Sequence, residues 1–126
     1  MHGLDHFGFG SPNLDRALKF YDAALAPLGI VRMMDIPQEA GRVVGYGAEH
    51  AFFWVGTGAP LGDVLHIAFA ATTRAQVDAF YAAAMAAGGT NNGTPGLRPQ
   101  YHPNYYAAFI FDPDGHNVEA VCHVAQ

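Results

Sequence analysis

The sequence predicts an α+β fold of two pseudo-symmetric βαβββ modules, and three observations carry that expectation. The segment Leu4 to Gly29 recurs without a gap sixty positions later as Val64 to Gly89. Its identities include His6/His66, Phe9/Phe69, the consecutive pairs Phe20/Phe80 and Tyr21/Tyr81, and Gly29/Gly89. Each copy opens on strand-like alternation and continues into apolar residues at helical spacing. A two-fold repeat of this kind points to a paired architecture rather than a solenoid.

The elements follow in order. Gly3 to Gly10 alternates between glycine bounds and reads as a strand, with Phe7 and Phe9 on one face and His6 and Gly8 on the other. Ser11-Pro12-Asn13 supplies helix-start chemistry, and Leu14, Leu18, Tyr21 and Leu25 mark one face of a helix that Pro27 and Gly29 end. Three short strands are expected at Ile30 to Ile36, Arg42 to Gly47 and Ala51 to Val55. After a Gly, Thr and Pro joint at 56 to 62 the pattern restarts. Val64 to Ala70 is a strand with His66 facing as His6 does, and Thr73 to Ala87 is a helix with Val77, Phe80, Tyr81 and Ala84 buried. The stretch Thr90 to Asn104, dense in Gly, Pro and Asn, reads as a long binding loop or lid, part of which hides a strand. Tyr105 to Phe111 and Asn117 to His123 form a hairpin around Asp112-Pro113-Asp114-Gly115.

At 126 residues the chain is expected to be one domain, with modules at about 1–56 and 63–126. Six Lys+Arg against eleven Asp+Glu offer no basic stripe for a phosphate backbone, so nucleic acid is not an expected partner. Apolar runs stop well short of a membrane span, and no membrane partner is expected. A lone Cys122 and an N-terminus without a signal-like apolar core point to the cytoplasm.

Chemistry is concentrated at three positions. Alternation in the last strand sets Asn117, Glu119, Val121 and His123 on one face, so Glu119 stands mid-strand among apolar residues. A carboxylate there needs a partner or a cation. Two histidines at one point of a duplicated strand supply the other donors, and His6, His66 and Glu119 together suit a divalent transition metal with coordination positions left open. His2 and His123 lie four strand residues from His6 and Glu119, roughly 13 Å away. His116 points to the opposite face and His50 sits at a polar corner. His102, from the long loop, is a candidate general base, and Tyr105 a candidate proton donor. Arg98 is placed to clamp an anionic oxygen of a small substrate. Tyr46, Phe53 and Trp54 are candidate walls of a substrate pocket, which a metal-free module binding an apolar ligand would share with Tyr105.

The run Leu4-Asp5-His6-Phe7, the pair Phe20-Tyr21 followed by Leu28-Gly29, and Phe111 to Glu119 (FDPDGHNVE) resemble the vicinal oxygen chelate superfamily, also called the glyoxalase/bleomycin resistance/dioxygenase family. The resemblance spans nearly the whole chain. It implies βαβββ modules that form a curved mixed sheet around a cavity with the helices outside, commonly in a homodimer. It also places His6, His66 and Glu119 on metal-ligand positions, and implies lyase, isomerase or extradiol-dioxygenase chemistry on neighbouring substrate oxygens. The metal is left open among iron, manganese, zinc, cobalt and nickel. Setting Glu49-His50 over Gly115-His116 puts Phe53 where glyoxalase I carries its other glutamate, which argues against a lactoylglutathione lyase. Gly8 stands where the fosfomycin-modifying transferases usually have threonine.

Overall fold

Alternation and helix caps in each repeat become one module. In the computed structural model, which describes residues 3–126, the first module comprises β1 (Phe7–Ser11), α1 (Leu14–Leu25), β2 (Val31–Gln38), β3 (Gly41–Gly47) and β4 (Ala51–Thr57). The second comprises β5 (His66–Ala70), α2 (Arg74–Ala86), β6 (Thr90–Leu97), β7 (Tyr106–Phe111) and β8 (Asn117–Cys122). His2 lies outside the described residues. Asn13 caps α1 by accepting from the Arg16 amide, and Thr73 caps α2 by accepting from that of Gln76. Beyond α1, Pro27 enters a 3-10 turn closed by Gly29 at φ 77°, a left-handed position suited to glycine.

The expected curved mixed sheet takes the form of two four-stranded sheets, ordered β1-β4-β3-β2 and β5-β8-β7-β6. Each closes by a parallel pairing of its first and last strands, with antiparallel pairs elsewhere. The duplication therefore extends to topology. The strand expected within Thr90 to Asn104 is Thr90–Leu97, more than half of that stretch. Its register shifts around Gly93 disguise the period, and as an edge strand it accommodates Pro95. One correction concerns the start of each module, where strand structure begins at Phe7 and His66, later than alternation suggests.

Both helices cover the inner faces of the sheets. Leu18, Phe20, Tyr21 and Leu25 of α1 and Val77, Phe80 and Ala84 of α2 pack in one core with Phe53, Phe69, Ile110 and Val118. The rings of Phe53 and Phe69 lie 5.2 Å apart, so the two modules share that core. Register assigns the remaining face. Phe7 pairs with Phe53 towards the core, while Gly8 pairs with Trp54 away from it. In the second sheet Ile67 pairs with Val118 inward and Ala68 with Glu119 outward.

The Asp112 hairpin fastens the modules together. Asp112 Oδ2 accepts from the Tyr21 hydroxyl (2.5 Å) and lies 2.8 Å from His116 Nδ1, and its Oδ1 accepts the amides of Asp114 and His116. Asp114 accepts from Ser11 and Arg16 of the first module. His116 Nε2 accepts the Leu61 amide, so its proton sits on Nδ1 and faces Asp112. Every one of these partners is needed, because Asp112 and His116 are buried.

Candidate metal centre

β8 carries Glu119 onto the outer face of the second sheet, and β5 carries His66 to meet it. His66 Nε2 lies 2.9 Å from Glu119 Oε1, and the Tyr105 hydroxyl makes a very short hydrogen bond to Glu119 Oε2. Glu119 is 1% exposed whereas the His66 side chain is 47% exposed, so the carboxylate is sheltered and the imidazole is accessible. Burial first, then the hydrogen bond to Glu119 and its charge, push the Tyr105 phenol well above its ordinary range, keeping it a proton donor. Phe109, directly across from Glu119 in the ladder, stacks on the His66 ring at 6.1 Å.

These donors fit a divalent metal. Two ligand atoms about 2.1 Å from one ion and at right angles to each other are themselves about 3 Å apart. His66 and Glu119 already stand at that separation, and one imidazole with one carboxylate is a common donor pair for such ions.

His6 does not join them within one chain. It precedes β1 on the outer face of the first sheet, where it borders a recess with Gly8, Val43, Ala51 and Trp54. Its Nδ1 lies 2.6 Å from Asp5, and the hydrogen bond and then the charge of His6 lower the Asp5 pKa. Among the described residues, the three metal-capable side chains that gather within 4.8 Å are Asp112, Asp114 and His116. Their donor atoms are the ones already occupied in the inter-module fastening.

Tyr46 and Phe53 are not wall residues. Both are fully buried beneath the first sheet, because Tyr46 pairs with Phe53 on its inner face, and the Tyr46 hydroxyl donates to Asp22. Trp54 does reach the outer face. The same register revises the comparison of modules. Glu119 pairs with the residue two beyond His66, and the residue two beyond His6 pairs with Trp54. Trp54, rather than Phe53, occupies the place equivalent to Glu119. A register shift between Tyr46 and Gly47 leaves β4 with one extra residue, Phe52, that the regular β7–β8 ladder lacks, and this displaced the sequence comparison by one residue.

His102 lies beside the Tyr105 ring, 5.5 Å between centroids, and 2.8 Å from His123. Its Nδ1 accepts the Asn104 amide, so its proton is on Nε2 and directed at His123 Nδ1. No basic nitrogen of His102 is left free in this arrangement. Sequence reasoning had set His123 aside; the loop's return across β8 is what brings it to His102. Arg98 lies over Phe109 at 5.3 Å.

The glyoxalase/bleomycin resistance protein/dioxygenase superfamily model matches residues 3–120. The chain belongs to this superfamily. A glyoxalase/bleomycin resistance protein from Albidiferax ferrireducens T118 is 31% identical, with 96% of this chain and 98% of that one covered and a TM-score of 0.78. Glyoxalase I from Zea mays is 19% identical with a TM-score of 0.72; the match covers 94% of this chain and 45% of that one. A mutant of the fosfomycin resistance protein FosX from Listeria monocytogenes, complexed with Mn(II) and 1S,2S-dihydroxypropylphosphonic acid, is 17% identical, with 98% and 92% covered and a TM-score of 0.71. No curated protein matches the chain. Among the described residues no helix is long and apolar enough to cross a membrane.

Proposed function

We propose that the protein is a divalent-metal-dependent enzyme acting on a small substrate through two neighbouring oxygens, by lyase, isomerase or extradiol-dioxygenase chemistry. The observation that carries this reading is the buried Glu119 held 2.9 Å from an accessible His66 on an open sheet face. His66 and Glu119 would hold the metal, which supplies Lewis acidity to the substrate oxygens. His6 of the partner subunit would complete the set when the first sheet of one protomer faces the second sheet of another in a homodimer. Tyr105 would orient Glu119 through its hydroxyl, and the proton it donates there is the one it would pass to substrate. His102 and His123 hold the loop that carries Tyr105. Trp54 and Phe109 would then bound the substrate. Trp54 in place of a second carboxylate disfavours the four-ligand set of a lactoylglutathione lyase. The buried, unpaired Cys122 is in keeping with a cytoplasmic setting.

A second reading, a metal-free binding module, draws on the fact that both Glu119 oxygens already have protein partners. Metal content separates the two. The wild-type protein, purified anaerobically, is expected to carry close to one equivalent of metal per chain, and Glu119→Gln to carry almost none, with turnover then assayed against catechols and hemithioacetals. Metal-free wild type that is not loaded by added Mn(II), Zn(II) or Fe(II) overturns the enzymatic reading.

A further inference from the structure

β6 is shaped around Arg98. The guanidinium donates to the carbonyls of Thr94 (2.7 Å) and Gly96 (2.8 Å), with a longer contact to Leu97 (3.5 Å), while its carbon lies over the Phe109 ring. A Cβ at Gly93 would come within 3.2 Å of one terminal nitrogen, and one at Gly96 within 3.3 Å of the other. Gly93 also has φ 152°, next to a shift in register. The irregularities of this strand thus make a seat for one cation. A guanidinium has five N–H groups, and three such contacts leave two uncommitted.

Among the described residues Arg98, like Arg74, has no carboxylate at ion-pair distance, whereas Arg16 and Arg32 each have one and Arg42 has two. Glu119 is the one acidic residue in the four strands of the second sheet, and it belongs with His66. A held but unpaired cation lies over the same Phe109 ring on which His66 stacks.

We infer that Arg98 is the specificity determinant for an anionic substrate: a compound whose neighbouring oxygens engage the metal and which carries a separate carboxylate or phosphonate that Arg98 receives. This rests on the metal reading above. With a divalent ion bound, Glu119 cancels one charge and Arg98 adds one, so a ligand with two negative charges balances the face.

The test uses calorimetry on the Mn(II)-loaded protein with two matched pairs of chelators, 3,4-dihydroxybenzoate against catechol and malate against lactate. At least one carboxylated member is expected to bind about tenfold or more tightly than its partner, as a charge-assisted bidentate contact allows. Arg98→Gln should abolish that preference while leaving metal content and the affinity for catechol and lactate unchanged. Arg98→Lys should restore part of it. Equal affinities within both pairs, or a preference that survives Arg98→Gln, overturn the inference. Metal content is read on the same samples. A protein that takes up no metal but keeps an Arg98-dependent preference sinks the metal reading and supports the anion site, and one that binds neither chelator nor metal sinks both.

Discussion

Glu119 shows how one side chain constrains its neighbours. A carboxylate buried this fully survives because Tyr105 and His66 each engage one oxygen. Removing the Tyr105 hydroxyl leaves one oxygen unpaired and free to turn. Tyr105→Phe is therefore expected to weaken metal affinity about 10- to 100-fold, the usual cost of losing a group that orients a ligand. Competition against a fluorescent chelator measures this, and unchanged affinity would remove Tyr105 from the site. The facing of Glu119 and His66 was legible in the sequence because β5 and β8 alternate without interruption. Tyr46 and Phe53 were misplaced because short strands between glycines do not reveal their phase; only the ladder with β4 does.

At the scale of elements, the Asp112 hairpin acts as a fastening and not as a second metal site. Asp112→Ala would strand the Tyr21 hydroxyl, His116 Nδ1 and two amides in a buried place. The expected loss is about 3–5 kcal/mol, the scale of breaking a buried polar pair from one side. Urea denaturation should show it. A metal centre there would instead predict that chelators destabilise the wild type to the same degree as the substitution. The hairpin was legible from its proline and glycine; its partners Ser11, Arg16, Tyr21 and Leu61 were not, since nothing local marks contacts that span 55 to 103 residues. β6 was the least legible strand. Its period is broken where the chain bends around Arg98, so the feature that hid the strand is the feature that gives it a role.

For the whole molecule, the separation of His6 from His66 and Glu119 makes a sharp prediction about assembly. If sites are shared, His6→Ala and Glu119→Gln proteins are each inactive, but each mixed dimer regains one intact site. Unfolding and refolding an equimolar mixture should then restore about one quarter of wild-type metal and turnover, because half of the dimers are mixed and half of their sites are whole. No recovery would place the site within one chain. Alkaline titration probes the common core. Burial raises the phenols of Tyr21 and Tyr46 above their ordinary value of 10, with Asp112 and Asp22 adding to the effect. In the unfolded chain both ionise near pH 10, so their contribution is intact below that and falls above it, by about 1.4 kcal/mol per pH unit for each phenol. Urea midpoints should decline above about pH 10, with phenolate absorbance appearing together with unfolding. Early phenolate absorbance in folded protein would contradict the buried placement. The two-module plan was readable because duplication left paired aromatics in phase, whereas the distance between the modules' outer faces leaves no trace in a repeat.

The parallel closure of each sheet has a further consequence for biogenesis. Glu119 rides on the closing strand of its module and reaches His66 only across a span of fifty-odd residues. A chain halted during synthesis before Asn117 already possesses both histidines but lacks the carboxylate, and it exposes the unpaired edge of β5 instead. Partially made protein would thus be unable to capture the proposed ion at this half-site and, in the same state, most open to proteases.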